Sequence, residues 1–341
     1  MNACRIAIVG ATGAVGRTML RILEERDFPV ERIFALASAR SAGTTVHFRD
    51  EDIPVTDLSD FDFANVDIAL FSAGGSVSLE HAPIATSAGA IVVDNTSVFR
   101  QEPDVPLVIP EVNPEAIAYR PRGIIANPNC STIQMVMALA PIHRKTRIKR
   151  IVVSTYQSVS GAGARAVEEL ERTSAKILRG ETPTAGPAFP HVIGFNCLPH
   201  IDIFLDDGYT KEEHKMIMET RKILSDDSIR ITATCVRVPV MIGHSEAINV
   251  ETESPLSPDE ARDMLRDAPG VEDMDDPANA SYPLQLDCAG KNSVFVGRIR
   301  RDPSCKNAID MWVTTDNLRK GAALNAVQIA EILARDRCIA R

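Results

Sequence analysis

The 341-residue chain has one tryptophan and only 5% aromatic residues, and its acidic side chains outnumber the basic ones to leave a net charge of −9. Without a basic excess to neutralise phosphates, a general nucleic-acid binder is not expected, and only a local basic pocket is left open. The seven cysteines, at positions 4, 130, 197, 235, 288, 305 and 338, are odd in number and contain no Cys-x-x-Cys pair. That argues against a disulfide framework and a zinc ribbon, so reduced thiols and no metal are expected. No apolar run approaches membrane-spanning length, and Met1 leads into a strand without a charged, cleavable apolar leader; a cytoplasmic location is expected. The 45% hydrophobic and 24% charged residues describe an ordinary globular chain, long enough for two domains.

What is present begins with Arg5-Ile6-Ala7-Ile8-Val9, a short apolar run of the buried parallel-strand type. It is followed by Gly10-Ala11-Thr12-Gly13-Ala14-Val15-Gly16 and then by Met19, Leu20 and Leu23 at helical spacing. Glycines at the three positions permit a tight turn, approach of the backbone to a pyrophosphate and close helix packing, with helix N–H groups facing the anion. The spacing is Gly-x-x-Gly-x-x-Gly, less specific than Gly-x-Gly-x-x-Gly, and glycines that simply make a turn are the plainer alternative. A second strand, Arg32 to Ala37, ends in Ser38-Ala39-Arg40-Ser41-Ala42-Gly43, where the acidic residue that would bind an NAD ribose is missing. A guanidinium and two hydroxyls suit a 2′-phosphate, which favours NADP; a solvated loop arginine is the alternative.

Further apolar runs, Ile68–Phe71, Ala90–Asp94, Leu107–Ile109 and Ile124–Ala126, alternate with a helix-like segment. The pattern predicts an α/β fold with a Rossmann-type, doubly wound parallel sheet in the N-terminal domain. Ligands bind such sheets beyond the carboxyl ends of the strands, where Ser72 to Ser76, Asn95 to Arg100 and Asn127 to Cys130 lie. Cys130 stands directly before Ile133, Val136, Met137 and Ala140, an apolar helical stripe, so it is expected at a helix start. Unpaired N–H groups and the helix dipole favour a thiolate there. Taken alone, such a cysteine is more often a small apolar filler.

After Cys130 the texture changes. Arg150 to Gly163 reads as a strand ending in a second glycine turn, followed by a helix over 166–178. The stretch 180–199 has little periodicity and reads as an irregular connection or a subunit contact. Later strands, Arg230 to Pro239, Glu246 to Thr252 and Ser293 to Arg301, are β-branched and partly alternating, which predicts a second, α+β domain with a mixed sheet. Leu318, Ala322, Asn325, Ile329, Ile332 and Leu333 form one face of a final helix that would return to the first domain. The domains are expected at 1–128 with 317–341, and at 129–316. Thr210 and Glu213 make a capping box, leaving Glu212 and Lys215 either on a solvated face or toward a site. Pro239 and Gly243 imply a bend between Arg237 and His244, and the histidine's claim to chemistry rests on the thiol, which needs a partner titrating near neutrality.

Jointly, the Gly10–Gly16 turn, Ser38 to Gly43, Asn95 to Arg100, Asn127-Pro128-Asn129-Cys130-Ser131-Thr132, Tyr156-Gln157 to Gly163, Glu212 to Lys215, Arg237 to His244 and Asn317 to Asn325 resemble the aspartate-β-semialdehyde dehydrogenase family nearly end to end. The resemblance implies NADPH-dependent reductive dephosphorylation of L-aspartyl-4-phosphate to aspartate semialdehyde and phosphate, toward lysine, methionine and threonine. It also implies a homodimer or dimer of dimers, with no nucleic-acid or membrane partner. Carried over by position, Cys130 is the acyl-thioester nucleophile, His244 the general acid/base, Gln157 a substrate orienter and Asn129 a helper of the oxyanion. Arg237 would hold the α-carboxylate, Glu212 the α-ammonium, and Arg100 and Lys215 the phosphate. Gly10, Thr12, Gly13, Ala14, Val15, Ser38, Arg40, Ser41, Ser72, Gly74, Ser160, Gly161 and Asn317 would contact NADP. Thr44, Asp50, Glu51 and Asp52 depart from the more basic loop common in the family, which makes NADP use firmer than NADP preference. His214 receives no role. The rival expectations are an N-acetyl-γ-glutamyl-phosphate reductase, whose substrate lacks the α-ammonium, and a catalytically silent dinucleotide-binding regulator on the same fold.

Overall fold

The computed structural model describes residues 1–335 of the chain; Cys338 and the end of the expected returning segment lie outside them. The chain divides into two compact units, one formed by residues 1–129 with the described residues from Ala322 onward, the other by Cys130–Gly321.

Unit one contains β1 (Cys4–Val9), α1 (Ala14–Glu25), β2 (Val30–Ala37), β3 (Thr45–Phe48), β4 (Glu51–Asp57), β5 (Ile68–Phe71), α2 (Gly75–Ser87), β6 (Ile91–Asp94) and β7 (Ile124–Ala126). Its seven-stranded sheet runs β3-β4-β2-β1-β5-β6-β7, and every pairing is parallel except β3 with β4. Strand order reverses at β1, so the crevice beyond its carboxyl end is the topological switch point of the sheet. Ile6, Ile8, Met19, Ile22, Leu23 and Phe28 are buried in the core, as the apolar strand and the helical stripe require.

Two expectations change in this unit. Leu107–Ile109 is not a strand; Leu107 makes a single bridge to Ala126. The Asn113 side chain takes the Ile109 N–H and donates to the Leu107 carbonyl, each at 2.9 Å, so these backbone groups are satisfied without a ladder. The region around Thr44 to Asp52 is not merely an acidic loop but the β3–β4 hairpin at the sheet edge, with Val46 and Phe48 turned inward.

Unit two contains α3 (Cys130–Lys145), β8 (Ile148–Gln157), α4 (Ala164–Leu178), α5 (Lys211–Leu224), β9 (Arg230–Arg237), β10 (His244–Thr252), α6 (Pro258–Arg266), β11 (Val271–Asp273), α7 (Gln285–Cys288), β12 (Val294–Arg301) and β13 (Ala308–Thr315). The mixed sheet runs β11-β12-β13-β10-β8-β9, parallel in its β11–β12 and β8–β9 pairs. Helix α3 packs along β8, β10, β12 and β13, with α5 against β9. Residues 131–140 of α3 are all buried.

The last helix, α8 (Leu324–Arg335), belongs to unit one and buries Ile329, Ala330 and Leu333 in its core. It starts later than the apolar pattern from Leu318 suggests. The Asp316 carboxylate accepts the Leu318 and Arg319 N–H groups, and its carbonyl accepts the Gly321 N–H. That five-residue spacing gives a widened π-type turn over Arg319–Ala323 before the α-helix begins. No helix among the described residues is long and apolar enough to cross a membrane.

Candidate active site

The glycine turn of unit one is shaped by backbone contact. Gly10 has φ +94, and a Cβ there would lie 2.6 Å from the Ser72 carbonyl oxygen; a Cβ on Gly16 would lie 2.3 Å from that of Gly10. The loops after β1 and β5, which flank the switch point, therefore meet at backbone distance. Helix α1 begins at Ala14 with no side-chain cap and no acidic residue in its first turn, leaving its N-terminal donors for an anion. Thr12, Gly13, Ala14 and Val15 are partly or fully exposed, as are Ser38, Arg40 and Ser41 after β2 and Ser72 and Gly74 after β5. These residues fit a dinucleotide.

Asn95, Asn127 and Asn325 form a chain within the same unit. Asn127 donates to Asn95 Oδ1 at 2.6 Å and accepts from Asn325 at 2.6 Å. Arg100 is buried and donates to the Asn95 carbonyl at 3.0 Å, which fixes its guanidinium near the strand ends. Asn129 is also buried. Asp94 holds the loop by accepting from Ser78 and Thr96, and burial raises its carboxyl above the ordinary range.

In unit two, four adjacent strands end in lateral register. Arg237 of β9 lies beside Gln157 of β8, Gln157 beside His244 of β10, and His244 beside Thr315 of β13. Paired residues share a sheet face, so the Pro239–Gly243 bend returns Arg237 and His244 to the same side. All three polar side chains are buried. The capping box forms as expected, with Glu213 accepting the Thr210 N–H at 2.7 Å. Glu213 is thereby occupied, and Glu212 turns into the cluster, accepting from Gln157 Nε2 at 3.3 Å and Lys215 Nζ at 3.0 Å. This resolves the solvated-face alternative for Glu212, whose residue is 5% exposed. Lys215 also reaches Asp202 at 2.7 Å. Burial pulls its ammonium down, but Glu212 and Asp202 outweigh that and raise it.

Arg237 donates to the Ser158 carbonyl at 2.6 Å. Burial lowers its guanidinium from the ordinary value, opposed by Glu212 and by Cys130. Cys130 is the first residue of α3 and is partly exposed, with Gly321 packed behind it: a Cβ on Gly321 would lie 3.0 Å from the Cys130 Cβ. His244 is wholly buried and pushed down to about 3, by burial first and by Arg237 second. Its Nδ1 accepts the Ser158 N–H at 3.0 Å, while Nε2 has no hydrogen-bond partner among the described residues. Gly161 packs against it, with no room to spare: a Cβ there would sit 3.3 Å from both Nε2 and an Arg237 nitrogen. Ser160 and Asn317 are buried in the same network.

Sequence reasoning missed Ser158, Asp202 and Gly321. Ser158 could have been found as a hydroxyl directly after Gln157, but Asp202 sits in an aperiodic segment with φ +68 and carries no local signal. His214 pairs with Asp207 at 2.7 Å near the surface.

Together, a parallel sheet with a glycine turn, a partly exposed cysteine at a helix start and a buried strand-end row of arginine, glutamine and histidine define a dinucleotide-dependent enzyme of the semialdehyde dehydrogenase class. The model of the semialdehyde dehydrogenase NAD binding domain matches residues 5–119, and that of the dimerisation domain matches 139–320. Aspartate-semialdehyde dehydrogenase of Aquifex aeolicus is 55% identical over 97% of this chain and 98% of its own length, and that of Legionella pneumophila 56% over 97% and 96%. The crystal structure of aspartate semialdehyde dehydrogenase II from Vibrio cholerae complexed with ASA superposes with a TM-score of 0.96 at 53% identity, covering 98% of this chain and 99% of that one. The Candida albicans enzyme, crystallised with NADP, gives 0.78 at 26% identity over 99% of this chain and 100% of its own. The chain belongs to the aspartate-semialdehyde dehydrogenase family.

Proposed function

We propose that this chain converts L-aspartyl-4-phosphate to L-aspartate 4-semialdehyde and phosphate with NADPH, in the cytoplasm, as a step toward lysine, methionine and threonine. The observation that carries the reading is the strand-end row of Arg237, Gln157 and His244 with Glu212 beside it. A buried cation and a buried carboxylate near one imidazole suit a substrate with an α-carboxylate and an α-ammonium. An N-acetylated substrate would offer Glu212 no ammonium.

In this reading the Cys130 thiolate attacks the acyl carbon, phosphate leaves, and the acyl group stays on sulfur as a thioester. NADPH, when bound, supplies a hydride to the thioester carbonyl. His244 takes the Cys130 proton as the thiolate forms, gives it to the resulting oxygen and takes it back as the carbon–sulfur bond breaks, the thiolate then recovering it. Arg237 holds the α-carboxylate in a two-pronged contact, Gln157 orients the acyl group, and Arg100 and Lys215 bind the phosphate. The Cys130 N–H and Asn129 support the oxyanion. The dinucleotide would be held by Gly10, Thr12, Gly13, Ala14, Val15, Ser38, Arg40, Ser41, Ser72 and Gly74, with Ser160, Gly161 and Asn317 assigned to it by the resemblance. Unit one is thus the nucleotide-binding domain and unit two the catalytic and homodimerisation domain.

Phosphate-dependent NADP reduction with aspartate semialdehyde tests the proposal. Turnover is expected there and not with N-acetylglutamate semialdehyde; the reverse preference, or no turnover of either, overturns it.

A further inference from the structure

The hydrogen bonds around the buried imidazole assign a role to a residue outside the machinery described so far. We propose that Ser158 is a positioning residue for His244, holding the ring in one orientation and serving both of its protonation states through two groups on one nitrogen. This rests on the reading that His244 moves a proton during turnover.

Ser158 is the first residue past β8, where the ladder with β10 ends at the Gln157–His244 pair. Its N–H therefore has no strand partner to bond and donates to His244 Nδ1 at 3.0 Å. Its hydroxyl lies 3.1 Å from the same nitrogen. That hydroxyl also donates to Asn317 Oδ1 at 3.1 Å and lies 3.1 Å from the Ser160 hydroxyl. Asn317 Oδ1 in turn accepts the Gly243 N–H at 2.8 Å, so one carboxamide fixes both the hydroxyl touching the ring and the backbone leading into it. Ser158, Asn317 and His244 are all buried.

A backbone N–H can only donate, so Nδ1 must offer it a lone pair. The neutral ring then carries its proton on Nε2, the buried atom beside Gly161 that has no hydrogen-bond partner among the described residues. When the ring is doubly protonated, Nδ1–H no longer suits the backbone N–H and needs an acceptor. The Ser158 hydroxyl supplies one, turning its own hydrogen to Asn317.

The charges facing the ring set when this exchange is needed. Arg237 opposes the imidazolium, while the Gly243 backbone and, less, Glu212 favour it. Glu246 lies two residues along β10, and Cys130 is near enough to Arg237 to support its charge; Gln157 and Thr315, on the flanking strands, are uncharged. A substrate carboxylate on Arg237 would remove most of that opposition, and the hydroxyl then becomes the group that accommodates the second proton.

The test pairs steady-state kinetics with ¹⁵N NMR of histidine-labelled protein, His244 being assigned by its absence in His244→Gln. The resting protein is expected to show a bare Nδ1 and a protonated Nε2 for His244, a readout that needs no substrate. Ser158→Ala should lower kcat about tenfold with KM for the acyl phosphate changed by less than about twofold, the loss of one hydrogen bond to a charged group. The kcat limb reporting His244 should move to lower pH in Ser158→Ala and return in Ser158→Thr, which keeps the hydroxyl. A protonated Nδ1 in the resting protein, or a Ser158→Ala profile that coincides with the parent's, overturns the proposal. Should aspartyl phosphate not be turned over at all while the expected tautomer is present, the functional reading fails and the positioning geometry stands.

Discussion

The Gly10–Gly16 turn and the strand-end cluster of unit two are both suited to anions, yet they are made of opposite materials. The turn uses backbone: two of its glycines leave no room for a Cβ, the helix behind it starts uncapped, and the side chains around it are largely exposed. The cluster uses buried side chains already bonded to one another, from Lys215 through Glu212 to Gln157 and from Asn317 through Ser158 to His244. A backbone site is sensitive to volume and indifferent to titration, whereas a side-chain site buried from water is sensitive to both charge and protonation.

The largest effect expected from breaking this contrast is at sulfur. Cys130→Ser should lower phosphate-dependent NADP reduction by on the order of 10⁴-fold while leaving NADP affinity intact, measured by turnover and by fluorescence titration. Next comes volume in the turn. Gly10→Ala should destabilise unit one by about 2–5 kcal/mol, because a Cβ meets the Ser72 carbonyl and the backbone is left-handed there; thermal unfolding and NADP binding would both report it.

Protonation separates the two regions at the next scale. Glu246 is wholly buried and both its oxygens lack hydrogen-bond partners among the described residues; burial pushes its carboxyl well above the ordinary value of 4.5, against a smaller pull from Gln134 on α3. The native state therefore keeps a proton that the unfolded state releases above pH 4.5, so stability falls as pH rises toward the raised value. His244 works the other way: below pH 6.5 the unfolded chain gains a proton that the native ring refuses down to about pH 3. Where the imidazole and the buried thiols no longer change their proton count, the carboxyl lowers stability as pH rises, with a slope of up to about 1.4 kcal/mol per pH unit until its raised value is passed. Urea unfolding should show that slope in the parent and lose it in Glu246→Gln.

At the exposed rim of the nucleotide site, Arg40→Ala should weaken NADP about tenfold relative to NAD, the loss of one charge-assisted contact. The smallest effect is at His214, whose pair with Asp207 is half exposed. His214→Ala should leave kcat, KM and the unfolding midpoint unchanged within error.

How legible these regions were follows from the same contrast. The turn, the buried strands and the start of α3 are local patterns of glycine spacing and apolar periodicity, and they appear in the structure where the sequence puts them. The β3–β4 hairpin was obscured because β3 is only four residues long and β4 opens on Glu51 and Asp52, and Leu107–Ile109 misled because Asn113, beyond the apolar run, takes over its backbone bonds. Glu212 was placed at the site only by the family resemblance. The capping box showed Glu213 to be occupied, but not that its neighbour faces Gln157 from more than fifty residues away.

By itself the sequence determined the parallel sheet with its nucleotide turn, the helix that begins at Cys130 and the identity of the polar residues available for chemistry, because strand, turn and cap preferences act over a few neighbouring residues. Only the tertiary structure decided that Arg237, Gln157 and His244 stand in one row, and that the His244 Nδ1 is taken up by Ser158, backed by Asn317, while Nε2 has no partner among the described residues. Those facts depend on strand register and on the direction of individual lone pairs, which arise when distant segments pack together.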